Sequence, residues 1–290
     1  LFDPRGEKLD PSRSFLPRGV VDGFVNPAER KGVVLDPGVK AIEAQAKKNE
    51  ARRMLALQQS TGLTASELKG FTDRVRDQAA FQVRMSPQAL LGFLEDGRFK
   101  TAYEVELHHD KEPVTEAYVT LRKQKEETTD LQNVVYASVT WDEVSRDATS
   151  PYGGVVLVLR NDRIFDRVSI TERETFAYVT DREAFQEDVV TWNQVGSLVT
   201  HFMRENDEPA GNFERTGSAP HIEAQIRGPV TRDDLDAILL PRGAAWDAVA
   251  AQVQASLDKH GVSKELVEIV RYDPVVPRQF DTAEWLKPAA

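Results

Sequence analysis

Phe81-Gln82-Val83-Arg84-Met85-Ser86-Pro87, with Leu90, Leu91, Leu94 and Gly97 behind it, is the stretch on which the fold turns. Residues 81–84 alternate apolar and polar with the period of two that a half-buried strand shows. Ser86 followed by Pro87 reads as a helix start, because a serine hydroxyl caps free N–H groups and proline is tolerated in the first turn. The leucines give that helix an apolar face, and Gly97 stops it. A strand thus hands over to a capped helix, and the chain differs in kind on the two sides of this point.

Upstream the composition is helical or irregular. Residues 1–37 hold Pro4, Pro11, Pro17, Pro27 and Pro37 and read as an extended, proline-containing arm. From Val39 to Gln59 the chain is rich in Ala, Lys, Glu, Arg and Gln, which predicts a polar helix. A second helix starts at Thr64, where Thr64 and Glu67 fit a capping box, and Leu68, Phe71, Val75 and Ala79 follow at helical spacing. Residues 38–80 therefore read as a helical N-terminal region.

Downstream, strand patterns dominate. Tyr103–Leu107 and Ala117–Leu121 alternate, Val134–Thr140 is β-branched, and Val155–Leu159 is a continuous apolar run suited to a central strand. His221–Arg227 alternates again, Ala237–Leu240 is a short apolar stretch, and Val267–Tyr272 closes the series. Helices are expected over 182–205, from Phe185, Val189, Trp192, Val195, Val199 and Phe202, and over 244–259, from Trp246, Val249, Val253 and Leu257. Strands and helices do not alternate regularly, so the class is α+β, with residues 81–290 forming the main domain.

Composition removes several function classes. The chain has 290 residues, 40% of them hydrophobic and 29% charged, with a net charge of −10 and no cysteine. Disulfides and thiolate metal sites are excluded. The acidic balance opposes broad binding to a phosphate backbone. No apolar run is long enough for a transmembrane helix, and Leu1–Ser14 lacks the apolar core of a signal peptide. The expectation is a soluble protein without a membrane partner, cytoplasmic or delivered without a visible signal peptide. Phosphate-binding glycine loops, Gly-x-Ser-x-Gly and His-Glu-x-x-His are all missing. His108-His109-Asp110 is the nearest approach to a metal motif, but neighbours on a strand point to opposite faces, and no metal is expected.

Three segments remain in a suggestive order: Phe81-Gln82-Val83-Arg84, then Tyr136-Ala137-Ser138-Val139-Thr140, then His221-Ile222-Glu223-Ala224-Gln225-Ile226 with Gly228-Pro229-Val230 behind it. In this order the chain resembles the mono-ADP-ribosyltransferase toxins and effectors of the branch built on Arg, Ser-Thr-Ser and Glu. There an arginine ends the first core strand, an aromatic-x-Ser-Thr-Ser strand follows, an apolar strand comes next, and the catalytic glutamate lies in a later strand. The resemblance spans about residues 81 to 240. It departs from the family at Val139-Thr140, where Thr-Ser stands, at Gln225, which interrupts an apolar run, and at His221, where many members carry Gln or Glu.

The resemblance implies a core of two small, mostly antiparallel sheets around a cleft, and NAD as a substrate without a metal. It assigns Glu223 as the catalytic carboxylate, Arg84 to the pyrophosphate, and Ser138 to fixing those side chains, with Tyr136 and Thr140 beside it. Phe165, Phe176 and Tyr178 are the candidates for stacking on nicotinamide. His221, on the face of Glu223, is the candidate for positioning an acceptor, itself expected to be a macromolecule, protein rather than nucleic acid. Ser169 and Thr171 repeat the spacing of Ser138 and Thr140 and form a second-ranked pair. An NAD glycohydrolase on the same fold and a non-catalytic binding or assembly module are the competing readings.

Overall fold

A computed structural model of the chain describes residues 34–101, 120, 124, 126–140, 153–173, 175–178, 181–198, 222–262 and 267–272. The first helix, α1 (Pro37–Thr61), is capped by Asp36, whose carboxylate accepts from the N–H groups of Gly38 and Val39. The second, α2 (Ala65–Gln78), starts at the expected capping box. Thr64 Oγ1 accepts from Glu67 N, while the Glu67 carboxylate accepts from Thr64 N and Oγ1. Those bonds favour the ionised form and hold the Glu67 carboxyl below its ordinary range. Strand β1 (Ala80–Met85) follows, and Ser86 Oγ caps α3 (Pro87–Asp96) through Ala89 N at 3.2 Å. Gly97 ends α3 at φ 77°, a left-handed conformation that costs glycine little.

Seven more strands complete the sheet: β2 (Val134–Thr140), β3 (Val155–Leu159), β4 (Val168–Thr171), β5 (Val190–Thr191), β6 (Ile222–Arg227), β7 (Leu235–Pro241) and β8 (Glu268–Tyr272). Their order is β5-β4-β6-β2-β1-β3-β7-β8, antiparallel throughout except for the parallel pair β7–β8. The α+β class is as expected. The described strands, however, form one open eight-stranded sheet rather than two separate sheets. The join at its centre is short. Strands β1 and β2 pair only through Ala80–Thr140, Phe81–Val139 and Gln82–Ser138. Beyond Gln82, β1 continues on β3 as far as Met85–Val155, and β2 continues on β6 as far as Val134–Arg227.

One face of the sheet is apolar. Phe81, Val135, Ala137, Val139, Leu157, Ile170, Ile222, Ala224, Ile226 and Ile238 belong to the main core, with Leu90 and Leu94 of α3 and Val253 and Leu257 of α6 (Ala244–Lys259). Trp192, Val195 and Leu198 join the same core from a 3₁₀ segment, Trp192–Leu198, and the Trp192 ring lies 5.2 Å from that of Phe81. No strand interrupts residues 39–79. Helix α2 packs against the 3₁₀ segment, and α1 packs against β5 at the edge of the sheet.

The sequence reading is corrected at two further points. The helix expected over 182–205 stops at Asp188, as α5 (Arg182–Asp188), which follows the short α4 (Asn161–Ile164) in the chain. Val189, Val190 and Thr191 are β-branched and favour extended chain. Asn49 fixes the break by donating to the carbonyls of Gln186 and Val189 at 2.8 and 2.7 Å. Trp192, Val195 and Leu198 then recur every three residues, which suits a 3₁₀ segment as well as an α-helix. Residues 199–205, most of the 1–37 arm, Tyr103–Leu107 and His108-His109 lie outside the described residues. So does Ala117–Leu121 apart from Thr120, which is helical.

The contact between α2 and the 3₁₀ segment is close enough to depend on one glycine. A Cβ on Gly196 would lie 1.9 Å from the carbonyl oxygen of Thr72. Gly196→Ala is therefore expected to push α2 outward and lower stability by about 1–3 kcal/mol. Urea unfolding of the two proteins checks this.

Candidate functional site

Residues directly opposed in an antiparallel pair point to the same face, and so do residues two apart on one strand. The register sets Thr171 opposite Glu223, Glu223 opposite Ser138, and Ser138 opposite Gln82. These four side chains form a polar row across β4, β6, β2 and β1, on the face opposite the main core. The neighbouring row contains Ser169, Gln225 and Tyr136. Arg84 lies on this face too, two residues beyond Gln82 and opposite Val156 of β3. The structure thus brings Arg84, Ser138 and Glu223 onto one face of three adjacent strands.

The notch where β1 and β2 part sits within this face. Arg84 lies on one bank and Tyr136 on the other, both half-buried, with Ser138 at the point where the strands rejoin. Thr140, two residues further along β2, is buried. Tyr136 packs against Leu131, Val134, Tyr178, Phe185 and Val189.

The row is polar and yet buried. Glu223 is 8% exposed, Gln82 2%, Ser138 1% and Gln225 0%. Buried polar groups normally find partners, and most of these do. Glu223 Oε1 accepts from the backbone N–H of Thr175 at 2.8 Å. Gln225 Nε2 donates to Thr171 Oγ1 at 2.9 Å and to the Glu223 carbonyl at 3.1 Å, and Gln225 Oε1 accepts from Ser169 Oγ at 3.0 Å. Thr171 Oγ1 donates in turn to the carbonyl of Arg173 at 2.8 Å. The Ser138 Oγ is buried and has no hydrogen-bond partner. This unpartnered hydroxyl lies opposite the Glu223 carboxylate on the neighbouring strand.

No family model matches the chain, and no curated protein matches it either. The function must therefore be argued from the site itself.

The other expected residues fall into place as follows. The second-ranked pair, Ser169 and Thr171, has its hydroxyls committed to Gln225 and to the Arg173 carbonyl, which distinguishes it from Ser138. Phe165 is buried in the main core, on the opposite face. Tyr178 is fully buried, donates its hydroxyl to Asp188, and carries the Arg173 guanidinium over its ring at 4.9 Å. Both rings are committed to packing, which removes them as stacking surfaces. Phe176 belongs to a 3₁₀ turn, Thr175–Tyr178. His221 lies outside the described residues. Among the described residues no group of three or more His, Asp or Glu side chains is arranged to hold a metal.

Sequence reasoning missed Gln82, Thr175 and Gln225. Two of them had a signal. Gln82 and Gln225 stand two positions from Arg84 and Glu223, and alternation alone places them on the same faces. Thr175 acts through its backbone, which no side-chain pattern reports.

The contrast between the two serines is testable. Ser138→Ala removes a buried hydroxyl that has no partner, so stability is expected to hold within about 0.5 kcal/mol or to rise. Ser169→Ala removes a donor and leaves Gln225 Oε1 short of its bond, at a cost of about 1–3 kcal/mol. Denaturant midpoints of the two variants against the parent provide the measurement.

Proposed function

We propose that this chain is an NAD-dependent mono-ADP-ribosyltransferase of the toxin and effector kind, with Glu223 as its catalytic carboxylate. The observation that carries the reading is the buried, unpartnered Ser138 hydroxyl, set between Glu223 and Gln82 with Arg84 on the same face. The order of strands supports it too, because arginine, serine and glutamate come from β1, β2 and β6, which are neighbours. The short ladder between β1 and β2 supports the finer expectation of two half-sheets flanking a cleft, with the cleft at the notch.

The chemistry follows from residue type. Nicotinamide departs with the electron pair of the bond to ribose, leaving positive charge on the sugar. A carboxylate fixed beside the ribose stabilises that charge where it develops. Glu223 is held for this by the Thr175 N–H. The acceptor nucleophile then bonds to the ribose carbon and releases a proton. Arg84, half-exposed on its bank of the notch, suits the pyrophosphate, since a guanidinium pairs bidentately with phosphate oxygens. Ser138, with Thr140 and Tyr136 beside it on β2, bonds the bound NAD between the two. His221 is the acceptor-positioning residue, and the acceptor is a macromolecule, protein in preference to nucleic acid because the chain is acidic.

The deciding experiment incubates the protein with labelled NAD and a cell lysate. Nicotinamide release with label on protein supports the transferase. Release without transfer points to a glycohydrolase, and neither points to a binding module. Glu223→Gln keeps the shape of the side chain and removes its charge, which matters most in the transition state. Nicotinamide release is expected to fall by about 10²–10³-fold with NAD affinity within twofold. Arg84→Ala removes a contact made in the ground state as well, so its first effect is a raised KM for NAD. Steady-state kinetics and NAD titration of both variants separate the two roles.

A further inference from the structure

Arg53 lies on α1, far in sequence from Glu223, and it is one of the most buried charges in the protein at 4% exposure. Its Nε donates to Glu172 Oε1 at 2.6 Å. Its Nη2 donates to Asp188 Oδ1 at 2.9 Å and to the Asp188 carbonyl at 2.8 Å. Both carboxylates are themselves about nine-tenths buried. Desolvated charges of this kind persist only when paired and well bonded, so the geometry of the three groups is strongly fixed.

The two partners bracket the support of Glu223. Glu172 follows directly on Thr171, the β4 residue opposite Glu223. Asp188 accepts from the hydroxyl of Tyr178, the last residue of the Thr175–Tyr178 turn. Arg53 therefore holds residue 172 directly and residue 178 through Asp188. Between these two anchors lies Thr175, whose N–H meets Glu223 Oε1 at 2.8 Å. Two neighbours on α1 reinforce the hold. Asn49 donates to the carbonyls of Gln186 and Val189, and Arg52 donates to that of Glu187.

We propose that Arg53 is a positioning residue for Glu223, and that α1 belongs to the active centre as its latch. This rests on the reading of Glu223 as the catalytic carboxylate. The line of force runs from Arg53 to Glu172 and, through Asp188, to Tyr178, on either side of Thr175, and from the Thr175 N–H to the carboxylate. It ends on the carboxylate rather than on Arg84 or Ser138, so loosening it is expected to lower turnover and spare affinity.

The test uses the full chain and two variants, Arg53→Lys, which loses the fork that spans two carboxylates, and Glu172→Gln, which keeps shape and weakens one anchor. Two measurements are made on each. The first is amide hydrogen exchange at Thr175, read against the central strands β1, β2 and β6. Exchange at Thr175 is expected to rise tenfold or more while the strands keep their protection. The second is nicotinamide release per NAD-binding molecule, counted by NAD titration. Turnover is expected to fall tenfold or more with KM for NAD within twofold. A role confined to stability would change the number of binding molecules and leave their turnover intact. Unchanged Thr175 exchange in both variants, or unchanged turnover per binding molecule, overturns the proposal. A parent protein that releases no nicotinamide removes the catalytic reading of Glu223, and the exchange measurement still decides whether Arg53 holds the segment.

Discussion

A polar group taken out of water must find a partner, and on β6 that obligation falls on Gln225. Its side chain has no exposure, and its two ends bond to Ser169 and Thr171 of β4 and to the carbonyl of Glu223. This carboxamide stitches the β4–β6 pair together on the face opposite the main core. Gln225 Nε2 also donates to Thr175 Oγ1 at 3.3 Å, beside the backbone bond from Thr175 to Glu223. An apolar residue at 225 would take away the acceptor of the Ser169 hydroxyl and one of the bonds of the Thr171 hydroxyl.

The opposite face is held in another way. There Phe81, Leu157, Ile222 and Ile238 pack under α3, α6 and the 3₁₀ segment, and the energy comes from apolar area removed from water. The two mechanisms divide the labour. The apolar face carries most of the stability, and the polar face carries geometry, because hydrogen bonds and ion pairs are directional. At the centre of the sheet three pairs join β1 to β2, and the polar row beside them is buried.

Much of this was legible in the sequence because it is local. Ser86-Pro87 with Gly97, Thr64 with Glu67, and the run Val155–Leu159 each determine their own element within a few residues, and each appears where expected. Alternation placed Arg84, Ser138 and Glu223 on strands, and the structure sets those strands side by side. What escaped is non-local. Nothing near Arg53 marks it as the partner of residues more than a hundred positions away, and a polar helix reads as a solvated one. The break at Val189 escaped for the same reason, since Asn49 supplies the bonds that end the helix. The single sheet with its short central ladder is a property of pairing, which no run of residues contains.

The central strand has a further consequence for how the chain is made. Strand β1 takes its two neighbours from residues 134–140 and 155–159, so on emerging from the ribosome it has nothing to pair with. At ordinary rates of synthesis the wait is roughly 5–15 s, long against the microseconds in which helices form. During that time Phe81, Val83 and Met85 are an open apolar edge. A helix with its own cap stands on each side of the strand, α2 before it and α3 after it. Their start signals are local, so both can begin to form before the partners of the strand exist. The order of elements along the chain thus sets two locally capped helices around a central strand while the rest is still being translated.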